Sequence, residues 1–305
     1  MDKEREDERR ESGKPGGGAG RKDEVGKSGV YPASGPYPED DAEWRGQASW
    51  GQGERGAAGY EDHGGSELSY SEGQLLGGGD TAGMPTRVEI LVEDAKLEGE
   101  LRVPREVRGI VLFAHGSGSS RHSPRNQYVA RVLQDAGIAT LLFDLLTPEE
   151  DALDKRTAEL RFNIALLANR LKQATEWLGE SPKIANVKVG YFGGSTGAAA
   201  ALVAAAEPVR EISAVVSRGG RPDLAGSALP KVKAPTLLIV GGVDAQVLQL
   251  NRGALARLTC EEKLEVVPGA THLFEEEGAL EEVARLASRW FEQRMGGKSK
   301  RVRAA

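Results

Sequence analysis

Two six-residue runs in this chain are apolar but for Thr236, and they constrain its fold more than any other feature. They occupy residues 109–114 (GIVLFA) and 235–240 (PTLLIV). A strand that faces water on one side alternates apolar and polar residues, whereas a parallel strand covered by helices on both faces is apolar throughout. We therefore expect a sheet whose central strands are parallel and lie between two layers of helices.

From residue 87 onwards, runs rich in β-branched and aliphatic residues alternate with helical patterns. The predicted strands are residues 88–92, 97–103, 109–114, 139–143, 187–192, 212–217, 236–240 and 264–267. The predicted helices are residues 125–136, 155–178, 197–206, 246–258 and 278–294. The first two strands alternate in polarity, which predicts an antiparallel hairpin at one sheet edge. The alternating order of strands and helices predicts an α/β fold, a mostly parallel, doubly wound sheet of about eight strands with helices on both faces.

The first 84 residues differ in composition from this region. Residues 1–85 hold 20 of the 40 glycines, neither Phe nor Ile, and 18 acidic against 10 basic residues. Such a segment buries too little apolar surface to offset the entropy of ordering it. We therefore predict a disordered, Gly-rich acidic tail at 1–84, one α/β domain at 85–296 and a short basic tail at 297–305. Translation from Met84 is an alternative start.

Composition also argues against several functional classes. No apolar run approaches the roughly 18 residues of a membrane span, and the charged start lacks the apolar run of a secretory signal. The single cysteine, Cys260, excludes intrachain disulfides and Cys-based zinc sites. Beyond residue 85 the chain carries 30 basic and 28 acidic residues, unlike a nucleic-acid binder. We expect a cytoplasmic protein with no nucleic-acid partner, membrane, metal or organic cofactor, and the oligomeric state stays open.

The loop after the predicted strand 187–192 carries the clearest chemical motif. It reads GGSTG over residues 193–197, with Ser195 at its centre, and an Ala-rich helix follows. This G-x-S-x-G pattern between a strand and a helix is typical of a nucleophile elbow, where small flanking residues allow close approach. A structural glycine turn and a phosphate loop are the alternatives, although no Lys follows as a phosphate loop requires. We predict that Ser195 is a nucleophile.

Two later strand exits supply an acid and a base. Asp244 follows strand 236–240, and His272 follows strand 264–267. The chain order Ser, Asp, His, with each group at a strand exit, suits a catalytic triad in which the carboxylate orients the imidazole. We predict that His272 accepts the Ser195 proton and that Asp244 holds His272 in place.

The loop after strand 109–114 begins His115-Gly116-Ser117 and has the small residues of an oxyanion hole. We predict that the backbone amides of Ser117, or an immediate neighbour, and Thr196 stabilise the oxyanion. His115 is interpreted as a hydrogen-bonded structural residue, with a second catalytic base as the alternative.

These motifs resemble the α/β-hydrolase superfamily, in the small lidless branch around dienelactone hydrolase. The resemblance covers residues from about 87 to 295 and rests on the blocks at 112–118, 192–197, 241–244 and 269–272. It implies an α/β-hydrolase fold without a cap domain and a Ser-Asp-His triad. Dienelactone hydrolases use a cysteine nucleophile where this chain has Ser195, which leaves the substrate open. The segment VSRGGRP at 216–222 also resembles relatives that are fused to a phosphoribosyltransferase domain.

The connections between predicted elements are too short for a cap, which suggests an open site for a small acyl compound. A short acidic loop is expected between Leu146 and Lys155. Arginine pairs with anions in a bidentate manner, so an anionic substrate is a possibility, with surface arginines as the alternative. The candidate substrate-binding residues are Arg218, Arg121 and His122, the last at the mouth of the site. Asp144 and Arg161 are a candidate ion pair near that mouth.

The sequence therefore predicts a serine hydrolase that acts on a small carboxylic ester, lactone or thioester through an acyl-enzyme. Its partner is a small-molecule acyl substrate. The alternative is a catalytically silent hydrolase-fold binding or scaffold protein whose N-terminal tail recruits a partner. The presence of Ser195, Asp244 and His272 together favours the enzyme, because a binding role would not require them.

Overall fold

The computed structural model describes residues 84–181, 184–296 and 300–301. Apart from Met84, the predicted N-terminal tail lies outside the described residues. No helix within the described part of the chain has both the length and the apolar character needed to cross a membrane.

The described residues form one large sheet and a small second one. The strands are β1 (Thr86–Val92), β2 (Ala95–Arg102), β3 (Glu106–Val107), β4 (Gly109–Ala114), β5 (Ile138–Phe143), β6 (Lys188–Gly194), β7 (Ile212–Arg218), β8 (Thr236–Gly241), β9 (Glu262–Val267) and β10 (Lys300–Arg301). Eight of them make one sheet in the order β1-β2-β5-β4-β6-β7-β8-β9. The strands from β5 to β9 in this order run parallel, and β2 is antiparallel to both β1 and β5.

The predicted fold class is confirmed. The strands β4 and β8 are buried at every residue, as expected for parallel strands between helices. The pair β3 and β10 escaped sequence analysis, because two-residue strands have no periodicity to detect. It pairs Lys300 and Arg301, which belong to the predicted basic tail, with Val107 and Glu106.

Helices cover both faces of the large sheet. They are α1 (Pro124–Asp135), α2 (Pro148–Thr157), α3 (Ile164–Trp177), α4 (Thr196–Ala206), α5 (Ala245–Leu255) and α6 (Ala279–Met295). Short 3₁₀ helices are Leu160–Phe162, Leu178–Glu180 and Pro222–Lys231. Buried residues of α1 and α6 pack in one core cluster, and those of α3, α4 and α5 pack in the other. The carboxyl ends of the parallel strands therefore meet at one edge between the two layers.

Two expectations between β5 and β6 were wrong. The expected acidic loop is the helix α2, which begins with a capping box in which Thr147 and Glu150 bond each other's backbone amides. The expected single helix 155–178 is broken, because Ala158 adopts a left-handed conformation (φ 58°) that ends α2. Asn163 then caps α3 by accepting a hydrogen bond from the Leu166 amide.

A buried arginine fixes α2 against α3. Arg170 is 1% exposed and donates to Glu150, to Asp94 and to the carbonyl of Leu145. Burial disfavours its charge, yet the bonds to the two carboxylates leave the pKa of Arg170 raised. The position of α2 beside the carboxyl edge of the sheet is thus set by an internal charge that is paired with two carboxylates.

Candidate active site

Ser195 stands at a sharp turn between β6 and α4. Its φ of 50° lies in a region that residues other than glycine rarely adopt. A Cβ on Gly197 would lie 2.1 Å from the Ala114 carbonyl oxygen, and one on Gly193 would lie 2.4 Å from the Cα of Ala198. Both glycines of the motif are therefore required by close backbone approach, as a nucleophile elbow demands.

The backbone of Ser195 is held by the last residue of β7, by the loop that follows it and by the first turn of α4. Its amide donates to the carbonyl of Arg218 at 3.2 Å, and its carbonyl accepts from the amides of Ala198 and Arg221, each at 3.1 Å. The Ser195 side chain makes no capping hydrogen bond to the start of α4. The hydroxyl is thus not engaged by the helix, while the backbone is fixed.

Asp244 and His272 are brought together by the exits of β8 and β9. The Oδ2 atom of Asp244 lies 2.8 Å from Nδ1 of His272, and its Oδ1 atom accepts from the Val247 amide at 3.3 Å as the cap of α5. Asp244 is buried, with 8% of its surface exposed. A buried carboxylate that is held in place as a helix cap favours one orientation of the imidazole and the tautomer with its proton on Nδ1.

His272 also lies beside the loop that holds the elbow. A Cβ on Gly219 would lie 3.5 Å from the Cε1 atom of His272, and Gly219 directly follows Arg218, whose carbonyl binds the Ser195 amide. The exits of β6, β7, β8 and β9 therefore meet at one edge of the sheet. The residues Ser195, Asp244 and His272 all belong to these exits.

The predicted oxyanion loop packs directly on the elbow. A Cβ on Gly116 would lie 2.9 Å from the Cβ of Ser195. The amide of Ser117 donates to the Thr196 hydroxyl at 3.1 Å, and the two side-chain hydroxyls are 3.0 Å apart. The structure thus joins Ser117 and Thr196, but it gives the Ser117 amide a partner that sequence analysis did not anticipate.

His115 is bonded through both ring nitrogens. Its Nε2 atom accepts from the Leu145 amide at 3.0 Å, and Nδ1 lies 3.0 Å from the carbonyl oxygen of Gly116. Burial lowers the pKa of His115, which favours a neutral ring with its proton on Nδ1. This agrees with the structural role preferred from sequence. The side chain of His122 is exposed at the surface.

The expected pair between Asp144 and Arg161 was wrong. Asp144 instead accepts from the backbone amide of Arg121 at 2.7 Å and also bonds its guanidinium. Arg161 binds Asp154 in the last turn of α2, with 2.7 Å between Nε and Oδ2. The turn that ends α2 brings Arg161 back onto that helix, where it binds Asp154, seven positions earlier in the chain.

The two candidate arginines differ sharply in their surroundings. Arg121 binds Glu98 at 2.5 Å in addition to Asp144, so its charge is already neutralised. Arg218 is 8% exposed and packs near the Phe274 ring, with 6.0 Å between its Cζ atom and the ring centroid. Burial and the charge of Arg125 lower the pKa of Arg218 to about 10.

A small cavity lies between the loop after β4 and α2. Its lining includes Ser117 and Thr196 on one side and Asp151 and Asp154 on the other. Sequence analysis missed the wall formed by α2, although the capping-box signature from Thr147 to Glu150 was present in the sequence. Among residues 84–181 and 184–296, no three His, Cys, Asp or Glu side chains form a group that could hold a metal ion.

The sheet order, the elbow at Ser195 and the Asp244–His272 pair at neighbouring strand exits define an α/β hydrolase. More closely, the chain belongs to the dienelactone hydrolase family, which it matches over residues 97–295.

Similar proteins are known from several organisms. A dienelactone hydrolase from Anabaena variabilis is 60% identical, with a TM-score of 0.67 over 69% of this chain and 98% of that one. Est1E from Butyrivibrio proteoclasticus shares the fold at 15% identity, with a TM-score of 0.58 over 69% of this chain and 99% of that one.

Two proteins from strains of Mycobacterium tuberculosis, both named "Putative phosphoribosyl transferase", are 60% identical over 204 residues. That match covers 67% of this chain and 45% of each relative. The chain therefore spans about half the length of these curated relatives.

Proposed function

We propose that the protein is a serine hydrolase that cleaves a small carboxylic ester, lactone or thioester through an acyl-enzyme. The observation that carries the proposal is the 2.8 Å contact between Asp244 and His272 at the sheet edge where Ser195 occupies the elbow. Membership of a hydrolase family supports bond cleavage by water. The combination of a serine, a histidine and an aspartate, Ser195, His272 and Asp244, supports transfer of the acyl group to the serine as the route.

Acylation begins when Ser195 Oγ attacks the substrate carbonyl carbon and His272 Nε2 accepts the hydroxyl proton. Asp244 accepts a hydrogen bond from the Nδ1–H group of His272. Because the proton is on Nδ1, the Nε2 atom can accept the Ser195 proton, and the negative charge of Asp244 then stabilises the imidazolium that forms. Collapse of the tetrahedral intermediate breaks the bond to the leaving oxygen or sulfur, and His272 protonates that atom. Water then attacks the acyl-enzyme, His272 takes its proton and returns it to Ser195, and a carboxylic acid leaves.

We assign the oxyanion to the amides of Thr196 and Ser117. The Thr196 amide is in the first turn of α4, where amides lack acceptors within the helix. The Ser117 amide donates to the Thr196 hydroxyl in the free protein. The substrate oxygen takes over that bond, and the hydroxyl can rotate to donate to the same oxygen, in line with hydrogen bonds that tighten only in the reacting complex.

Labelling with a fluorophosphonate probe distinguishes the proposed hydrolase from the alternative, a catalytically silent scaffold protein. Stoichiometric labelling, together with hydrolysis of a panel of nitrophenyl esters of increasing acyl length, is the expected result. We expect the highest kcat/KM for short acyl chains, in line with the small acyl substrate that the sequence predicts. No labelling and no turnover across the panel would favour the scaffold in which the N-terminal segment recruits a partner.

A further inference from the structure

Asn251 is a buried amide that the mechanism above does not use. It lies in the middle of α5 and is 0% exposed, although asparagine is mostly a surface residue. Its Nδ2 atom donates to the carbonyl oxygen of Gly220 at 2.9 Å and to that of Val247 at 2.8 Å. Two carbonyl acceptors require two N–H donors, so it is the NH₂ group of the side chain that faces both.

The peptide group between Gly220 and Arg221 is held at both ends. Its carbonyl accepts from Asn251, and its N–H, that of Arg221, donates to the Ser195 carbonyl at 3.1 Å. Gly220 is also confined by close packing, since a Cβ at this position would lie 2.0 Å from Oγ of Ser217. One peptide group therefore connects Asn251 to the backbone of the nucleophile.

Asn251 also connects this peptide group to the helix that Asp244 caps. The carbonyl of Val247 accepts from Asn251, and the amide of Val247 donates to Oδ1 of Asp244 at 3.3 Å. The other carboxylate oxygen of Asp244 bonds His272. One side chain is thus bonded both to the loop that holds the nucleophile and to the helix turn that holds the acid.

The helix itself does not require an asparagine at position 251. Asparagine has a lower helix propensity than alanine or leucine, and Oδ1 of Asn251 is buried without a hydrogen bond from the described residues. Burying an unsatisfied oxygen is unfavourable, and an apolar side chain of similar shape would avoid it. Ser195, by contrast, has a strained φ of 50°, which persists only where the surrounding structure fixes it. The two N–H donors of Asn251 contribute to that fixation.

We propose that Asn251 is a positioning residue for acyl transfer. Through the Gly220–Arg221 peptide group it holds the Ser195 backbone in the elbow conformation, and through α5 it fixes Asp244 relative to that elbow. The inference rests on the proposed function, because it concerns the geometry in which Ser195 and His272 react. Since Asn251 is fully buried, it acts through the backbone and not on the substrate, so its loss should slow the chemical step and leave substrate binding unchanged.

The test uses Asn251→Leu, which keeps the approximate volume of the side chain and removes both donors. Saturation kinetics with a fluorophosphonate give the rate constant of the covalent reaction, kinact, and the dissociation constant of the complex that precedes it, KI. We expect kinact to fall by about 10- to 100-fold, the effect of a misplacement of up to about 1 Å. KI should stay within about twofold of the wild-type value.

Asn251→Ser is a second variant that separates the two hydrogen bonds. A serine hydroxyl can donate to the carbonyl four residues earlier in a helix, here that of Val247, but its side chain is too short for the Gly220 carbonyl. If the bond to Gly220 positions the nucleophile, kinact of Asn251→Ser should fall as in Asn251→Leu.

Thr175→Val is the matched control. Thr175 is also 0% exposed, donates to the carbonyl of Leu171 four residues earlier, and bonds Tyr191 on a neighbouring element. Its loss should lower the free energy of unfolding, as that of Asn251 does, but leave kinact unchanged. The proposal is overturned if the Asn251 variants keep the wild-type kinact, if KI changes in place of kinact, or if the control lowers kinact as much.

Amide hydrogen exchange keeps this inference separate from the proposed hydrolysis. In the wild type we expect the Arg221 amide to exchange as slowly as the amides of β8, because its peptide group is held at both ends. In Asn251→Ser its exchange rate relative to β8 should rise at least about 10-fold. Failure of every form to react with the fluorophosphonate would refute the serine hydrolase alone. An Arg221 amide that exchanges freely in the wild type, or a relative rate that the variant leaves unchanged, would refute the role of Asn251 alone.

Discussion

Asp244→Asn separates the two roles that the structure gives to one carboxylate. One oxygen caps α5 by accepting from Val247, and the other accepts from Nδ1 of His272. Asparagine keeps an oxygen for the cap but turns an amide N–H towards Nδ1. The imidazole then carries its proton on Nε2, where it can no longer accept the proton of Ser195.

The expected loss in kcat/KM is about 10⁴-fold, as for the corresponding substitution in a serine protease. At about 1.36 kcal/mol for each factor of ten, this amounts to roughly 5.5 kcal/mol of transition-state stabilisation. Since the cap remains, the free energy of unfolding should fall less than in Asp244→Ala. Asp244→Ala removes the cap as well, so it should lower the free energy of unfolding by about 1 kcal/mol in addition to lowering kcat/KM.

The assay pairs ester hydrolysis with urea unfolding for wild type, Asp244→Asn and Asp244→Ala. The reasoning is refuted if Asp244→Asn retains more than about a tenth of the activity. It is also refuted if the activity falls only in proportion to unfolded protein, since the carboxylate would then act through the cap alone.

Further outcomes follow from the packing around the site. Gly197→Ala places a Cβ 2.1 Å from the Ala114 carbonyl oxygen and should cost about 1–3 kcal/mol of stability and most activity. His115→Leu leaves the Leu145 amide without its acceptor, at a cost of about 1–3 kcal/mol in urea unfolding. Because burial lowers the pKa of His115, the wild type should lose stability as the pH falls below about 6.5, and the variant should lose less. A chain beginning at Met84 should keep the melting temperature and esterase activity of the full chain, because the removed segment is poor in apolar residues.

The sequence predicts the large sheet well because the signals are local and strong. The apolar runs that became β4 and β8 required burial on both faces, and the pattern around Ser195 required an elbow. The positions of Asp244 and His272 followed from one rule, that parallel strands end at a common edge. These inferences needed no knowledge of side-chain packing.

What the sequence did not predict depends on partners far apart in the chain. The ion pair of Arg121 joins residues separated by 23 positions, and several acids could have served as its partner. The helix α2 has weak apolar periodicity, so hydrophobic pattern alone does not predict it. The clear sign of a helix start in this segment is the capping box from Thr147 to Glu150, which the sequence analysis did not use. The bond from Ser117 to the Thr196 hydroxyl spans 79 positions and depends on how the loop after β4 packs on the elbow.

The central claim, that Ser195 carries the acyl group during turnover, is tested most directly by trapping that intermediate. The protein is mixed with a slowly hydrolysed aryl ester, quenched in acid within milliseconds and digested for mass spectrometry. We predict that the peptide with Ser195 gains the mass of the acyl group, that His272→Gln lowers its yield, and that Ser195→Ala shows no adduct. An acyl group on another residue, or ester turnover that persists in Ser195→Ala, would contradict the account.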